Sequence, residues 1–301
     1  MSEQAMRCSR CGHEAIIYQR YSGAHLCRRH FIADFEARAK RAIRTHGWIR
    51  ANDRIAVALS GGKDSSALLH FLATRFGARR DMEIMAITVD EGIRGYRDPE
   101  RARGIAERYG VECLVTRFRD AYGYDIDQIL ERVGTERSCT FCGVLRRRLL
   151  NKTARELGAT KLALGFNLDD DAQSVLMNVL RGDSERLLRP DVPVEGLVPR
   201  IRPFLHIPER EVALYACLNV EGFSDRGCPY AHNALRADVR IMLNDYHYRH
   251  PSTKFALVNL GEELAEVGGA AAPELKVCGR CGEPYFERCR ACELLREANL
   301  A

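Results

Sequence analysis

The chain has 301 residues, 46% hydrophobic and 29% charged, with a formal net charge of +5 at pH 7. That composition suits a globular protein with one main domain and smaller appendages, and excludes a low-complexity or fibrous chain. No apolar run approaches the roughly 20 residues that cross a bilayer, and the opening MSEQAMRCSRCGHE holds no signal-like stretch, so a cytoplasmic protein without membrane segments is expected.

Twelve cysteines in a reducing compartment point to metal ligation rather than to disulfides. The positive charge is carried largely by arginine, which suits phosphate contacts and permits a polyanionic partner.

The first predicted element is a zinc finger over residues 1–32. Cys8, Cys11, Cys27 and His30 fall in the order Cys-x-x-Cys, fifteen residues, Cys-x-x-His. Each short pair makes a tight knuckle, and two knuckles supply the closed tetrahedral set of a structural zinc site. The competing reading, unrelated buried thiols, requires four-ligand spacing to arise by chance. A basic helix follows in EARAKRAIRTHGWIR (residues 36–50), read as a linker over residues 33–51.

Residues 52–206 read as an α/β domain. In DRIAVALSGGKDSSALLHFLATRFG a buried strand at 55–59 leads through a Gly-Gly turn to a helix from Asp64, with Ala67, Leu68, Phe71 and Leu72 at helical spacing. A strand, a glycine turn and a helix N-terminus form an anion site, to which Lys63, Ser60, Ser65 and Ser66 add donors. The spacing is not that of a Walker A loop. The Ser-Gly-Gly-Lys-Asp-Ser string resembles the pyrophosphate loop of the ATP-pyrophosphatase superfamily, which implies cleavage of ATP between the α and β phosphates. Further strands are predicted at 82–90, 111–118 and 161–166, with helices between them, giving a mostly parallel sheet covered on both faces.

In such sheets ligands sit beyond the carboxyl ends of the strands. That rule gathers residues 60–65, the VDEGIRGYRD loop (89–98) and GFNLDDDAQS (165–174) at one edge. Asp169 and Asp171 are read either as simply capping the positive end of the helix that opens there or as functional carboxylates. Asp170 is assigned to a magnesium–ATP site, which needs a nearby carboxylate.

RSCTFCGVLRRR holds a Cys-x-x-Cys pair, Cys139 and Cys142, with no second pair close by. Cys113 and Cys217 are read as buried small hydrophobes. Cys228 lies in DRGCPYA, a turn that presents a side chain outward. A knuckle pair and this distant cysteine could hold an iron–sulfur cluster with one iron open; unligated thiols are the alternative. Residues 207–272 are read as a helical extension carrying Cys228. Residues 273–301 form a second zinc module, in which Cys278, Cys281, Cys289 and Cys292 make two Cys-x-x-Cys pairs separated by seven residues. Gly12, Gly279 and Gly282 beside the zinc ligands are expected to supply unusual backbone angles.

Taken together, ALSGGKDS, VDEGIRGYRD, CTFCGVLRRRLL, GFNLDDDAQSVLMNVLRGD and CPYA, between two zinc modules, resemble the tRNA 2-thiouridine synthetases of the archaeal and eukaryotic cytosolic type. The resemblance covers nearly the whole chain. It implies an enzyme that adenylates the C2 oxygen of a tRNA uridine and replaces it with sulfur, using ATP, Mg2+, a [4Fe–4S] cluster and two Zn2+. The cluster ligands it implies are Cys139, Cys142 and Cys228. The ATP contacts it implies are Ala58, Ser60, Gly61, Gly62, Lys63, Asp64, Ser65, Ile87, Arg146, Gly165 and Asp170. Cys139, Cys142, Cys228, Lys63, Asp64, Arg146 and Asp170 carry over as catalytic positions. Phe166 departs from the family, which usually has His there.

The implied partners are tRNA, a ubiquitin-like thiocarboxylated sulfur carrier or sulfide, and a second copy of the chain. The Asp90–Glu91 pair and Arg146 resemble the branch acting at the anticodon wobble uridine, with the T-loop uridine as the alternative. tRNA contact is expected from the zinc modules and basic helices. A cluster-free persulfide route uses the same cysteines. An amide-forming ligase leaves Cys139, Cys142 and Cys228 idle, and a zinc RNA-binding module without catalysis leaves the ATP loop idle.

Overall fold

The structure is a computed structural model describing residues 6–189, 194–231, 235–268 and 275–300. A hairpin of β1 (Ile17–Gln19) and β2 (Ala24–Leu26) runs into α1 (Arg28–Thr45). The boundary expected at residues 32/33 falls within that helix. Its Phe31, Phe35, Ala39, Ala42 and Ile43 recur at helical spacing and are buried. Phe35 stacks on Tyr215 at 4.0 Å between ring centroids, so α1 is a core helix whose outer face is basic.

The alternating part begins with β3 (Arg54–Ala58), α2 (Lys63–Phe76), β4 (Glu83–Asp90), α3 (Pro99–Glu107) and β5 (Cys113–Arg117). Two short helices, α4 (Phe118–Tyr122) and α5 (Ile126–Val133), precede the long α6 (Ser138–Glu156). Next come β6 (Lys161–Ala163), α7 (Leu168–Leu180), α8 (Ser184–Leu187) and β7 (Arg200–Ile201). Three helices follow, α9 (Glu209–Asn219), α10 (Leu235–Arg249) and α11 (Thr253–Val267). The C-terminal module comprises β8 (Lys276–Val277), β9 (Pro284–Tyr285) and α12 (Arg290–Glu297). The boundary expected at residue 273 lies outside the described residues.

The central sheet has the order β5-β4-β3-β6-β7 and every pairing in it is parallel. Alternation along β3 explains the two covered faces. Ile55 and Val57 join one apolar cluster with residues of α1, α2, α3 and α9, whereas Ala56 joins another with residues of α5, α6 and α12. A third cluster unites α7, α10 and α11. The chain leaves β3 toward β4 on one side and later places β6 on the other, so the strand order reverses between β3 and β6. That reversal is where such folds bind ligands. β7 was not expected; two residues are too few to carry a periodic signal.

Candidate functional site

A cavity of about 280 Å³ opens beyond the carboxyl ends of β3, β4 and β6. Its wall includes Ala58, Ser60, Gly62, Asp64, Ser65, Ile87, Arg146, Gly165 and Asp170, together with Phe166. Of the expected ATP contacts, Gly61 and Lys63 alone are off this wall.

The glycine loop explains its own sequence. Gly61 has φ +74, a left-handed conformation that side chains resist, and Gly62 caps α2. Ser65 Oγ accepts from the Ser60 amide at 3.1 Å and contacts Ser60 Oγ at 3.0 Å, folding the turn over the helix start. At Gly165 a Cβ would sit 3.0 Å from the backbone of Asp64 and Ser65. Only glycine lets the end of β6 approach the loop that closely.

Two carboxylates face the cavity. Asp64 Oδ1 accepts from Asn167 Nδ2 at 3.3 Å, and Asp170 Oδ2 accepts from the Asn167 amide at 3.3 Å. Burial pushes the Asp170 carboxyl up to about 7, against the Asn167 hydrogen bond, and the Asp64 charge adds to the rise. Asp170 therefore both closes the capping box of α7 and lines the cavity. Asp169 and Asp171 lie in the first turn of α7, where their charge suits the positive helix end as expected, while the N-cap itself is Asn167. Asp169 also pairs with Lys254 and accepts from the Glu209 amide, and Asp171 pairs with Arg202. Both are paired by cations that local sequence does not reveal.

Lys63 Nζ donates to Asp64 Oδ2 at 2.8 Å and to Glu209 Oε1 at 2.9 Å. The cationic lining comes from Arg97, Arg146, Arg147 and Arg200. Burial and the neighbouring Arg200 and Arg146 bring the Arg147 guanidinium down to about 10. Buried Glu91 ties two of the arginines together, its Oε1 lying 2.8 Å from Arg97 Nη1 and 3.1 Å from Arg146 Nη1. Arg97, Arg147 and Arg200 escaped sequence reasoning, because nothing local separates them from surface arginines. A second recess of about 180 Å³ shares Ser60 and Arg97 with the cavity and adds Arg101 and Arg226.

The three spare cysteines are near enough for their charges to act on one another, Cys228 on Cys142 and Cys139 on Cys228. Their sulfurs do not form a set within 4.8 Å as the ligand quartets at the chain ends do. Cys139 and Cys142 sit in the first turn of α6, not in the expected knuckle, and face one way because i and i+3 share a helix side. Arg146, one turn after Cys142, links that side to the cavity. The loop bearing Cys228 docks on the glycine loop, where the Ser224 amide donates to Gly61 O at 2.8 Å. Tyr230 Oη donates to Asp127 Oδ1 at 2.8 Å and anchors the far side. Burial pushes the Cys142 thiol up to about 11, and the Cys228 charge adds to that rise. Burial raises Cys228 too, with Cys139 contributing. Cys113 lies on β5, half-buried, while Cys217 is exposed on α9. The burial expected of Cys217 fails because its position on the helix turns away from the core.

At the chain ends, one donor atom from each of Cys8, Cys11, Cys27 and His30 lies within 4.8 Å of the others, and so do those of Cys278, Cys281, Cys289 and Cys292. Gly12 and Gly282 adopt φ of +72 and +69, as expected, but Gly279 does not have positive φ.

Residues 32–243 match the PP-loop domain. The chain belongs to the PP-loop family. Residues 7–32 match the N-terminal LIM domain of the 2-thiouridine synthetase TtuA. Within the PP-loop family the chain groups with the tRNA 2-thiolation proteins. It is 37% identical to Cytoplasmic tRNA 2-thiolation protein 1 of Caenorhabditis elegans, covering 97% of this chain and 80% of that one. It is 35% identical to tRNA 2-thiolation protein NcsA of Haloferax volcanii, covering 96% and 98%. Among solved structures, the U34-tRNA thiolase NcsA from Methanococcus maripaludis with its [4Fe-4S] cluster is 33% identical, with a TM-score of 0.84 over 97% of this chain and 96% of that one. The residues lining the cavity all fall within the span matched to the PP-loop domain, and the full-length agreement covers the cysteine-bearing α6 as well.

Proposed function

We propose that this protein is a cytoplasmic, ATP-dependent tRNA thiolase that replaces the C2 oxygen of a uridine, the wobble uridine in preference, with sulfur. The observation that supports the reading is Arg146 on the cavity wall one helical turn from Cys142, with Cys228 near enough for its charge to act on Cys142. Neither the cavity nor the cysteines alone call for the other; a thiolase needs both at one place.

The uridine O2 attacks the α-phosphorus of ATP, the α–β phosphate bond breaks, and pyrophosphate leaves. Sulfur then adds at C2 and the C2–O bond breaks with AMP as the leaving group. Free amides of the glycine loop and the α2 N-terminus suit the phosphates, and Arg97, Arg146, Arg147 and Arg200 suit the charge that develops on them. Ala58 and Ile87 offer an apolar bed for the base. Asp64 and Asp170 are the carboxylates available to Mg2+. The basic second recess beside Ser60 suits an RNA phosphate next to the reacting uridine.

Cys139, Cys142 and Cys228 fit a [4Fe–4S] cluster held by three thiolates. The chain has twelve cysteines, of which seven serve the terminal quartets and the other two, Cys113 and Cys217, lie on β5 and α9. Such a cluster supplies an iron free of protein thiolate that can hold sulfide close to C2. The terminal quartets suit two structural Zn2+, since four protein ligands leave zinc no open position.

The proposed division is a finger over 1–32, a basic helix over 33–51, the catalytic domain over 52–206, a helical extension over 207–272 and a ribbon over 273–301. The proposed partners are tRNA, a ubiquitin-like thiocarboxylated carrier or free sulfide as donor, and a second copy of the chain. Anaerobic protein incubated with unmodified tRNA, ATP and sulfide should release AMP and yield 2-thiouridine at the wobble position by nucleoside mass spectrometry. Folded Lys63→Ala protein should release none. AMP release without any thiolated nucleoside would refute the sulfur step, and thiolation confined to the T-loop would refute the wobble assignment.

A further inference from the structure

We propose that His46, His206 and Glu262 form a third metal site, built from nitrogen and oxygen donors, for a divalent transition-metal ion such as zinc, nickel or cobalt. The three residues are far apart in sequence. His46 caps the C-terminus of α1, His206 lies between β7 and α9, and Glu262 belongs to α11. One donor atom from each lies within 4.8 Å of the other two. His46 Nε2 stands 3.3 Å from Glu262 Oε1, and His206 Nε2 stands 3.5 Å from Glu262 Oε2. Each imidazole thus faces a different oxygen of one carboxylate.

Two further features separate this trio from an ordinary ion pair. Glu262 Oε1 is buried yet has no partner in hydrogen-bond geometry, despite the nearby imidazole. The His46 ring is held by stacking on Trp48 at 4.3 Å and 12°, which fixes the direction of its Nε2. Two neutral imidazoles and one carboxylate carry a single negative charge, so a dication is electrostatically favoured. Arg202, the cation that bears on His206 and Glu262, is itself paired with Asp171.

A His-His-carboxylate set suits borderline metals and leaves coordination positions for water. His206 and Glu262 are partly exposed and His46 is exposed, so an ion can enter from solvent. Such an ion would clamp α11, which packs on α7, to the end of α1. It would do so without thiols, unlike the terminal quartets, and would therefore survive oxidation that empties them.

The test uses full-length anaerobic protein carrying its cluster and only two equivalents of zinc, those of the terminal quartets, with weakly held metal removed beforehand, titrated with Co(II). The wild type should take up one further equivalent, with weak visible bands and no thiolate charge transfer, and its Tm should rise. Glu262→Gln and His206→Ala should each weaken that uptake by at least about tenfold and abolish the Tm rise, while Glu266→Gln on the same helix should not. Should those variants fold poorly, protection of His46 and His206 from diethyl pyrocarbonate by Co(II) in the wild type reports the same contact. No extra cobalt in the wild type, thiolate charge transfer from the extra equivalent, equal uptake by Glu262→Gln, or unprotected histidines would each overturn the site.

Discussion

Asp170→Asn should stabilise the protein at neutral pH while removing its response to magnesium–ATP. Burial and the Asp64 charge carry the Asp170 carboxyl from 3.8 up to about 7. Below about pH 4 the carboxyl is protonated in folded and unfolded chains alike. As pH rises from about 4 to about 7 the unfolded chain releases this proton and the folded chain keeps it, so stability falls; above about 7 the loss is complete. Each pH unit is worth about 1.36 kcal/mol, so the interval of about 3 units sets a ceiling of about 4 kcal/mol. Asp170 borders an open cavity, and solvent screening reduces this to about 1–3 kcal/mol. The amide never ionises, and its oxygen can still accept from the Asn167 amide in the capping box.

Thermal unfolding of nucleotide-free wild-type and Asp170→Asn proteins, compared between pH 5 and 8.5, therefore reads the effect directly. The variant's advantage should grow with pH up to about 7 and then level. Magnesium–ATP should stabilise the wild type more at pH 8 than at pH 6, because the cation competes with the proton, and should do little for the variant. A stability difference that is flat across this range, or equal stabilisation of both proteins by magnesium–ATP, would refute the reasoning.

Gly165→Ala places a Cβ 3.0 Å from the Asp64 and Ser65 backbone; a destabilisation of about 1–3 kcal/mol and weaker nucleotide binding are expected, measurable by denaturant unfolding and ATP titration. Cys139→Ala, Cys142→Ala or Cys228→Ala should each lose most iron by metal analysis and all thiolation, while ATP still binds at the separate glycine loop. Full thiolation by iron-free protein would leave the persulfide route standing. Substituting Cys281 should lower tRNA affinity or solubility more than single-turnover thiolation of bound tRNA; slowed chemistry at unchanged stability would move that metal into the reaction.

The sequence alone determined what covalent spacing controls. The Ser-Gly-Gly-Lys-Asp-Ser turn, the strands ending at Ala58 and Asp90, and both terminal ligand quartets are set by residues a few positions apart, where backbone geometry leaves few choices. The family resemblance extended that reading to Cys228, which spacing could nominate but not deliver to Cys139 and Cys142. Where the Cys228 loop lies depends on the bridge from Ser224 to the glycine loop, a contact between segments distant in sequence.

The tertiary structure also decided matters on which local pattern misleads. Asp169, Asp170 and Asp171 are adjacent and alike, yet Lys254, Asn167 and Arg202 give them three different roles. Cys-x-x-Cys reads as a knuckle by analogy with the chain ends but becomes a helical turn, because α6 packs on the sheet and extends through it. Arg97, Arg147 and Arg200 enter the cavity from three elements, and His46, His206 and Glu262 meet from three others. Such groupings are fixed by how helices close over the two faces of the sheet, and no window along the chain contains them.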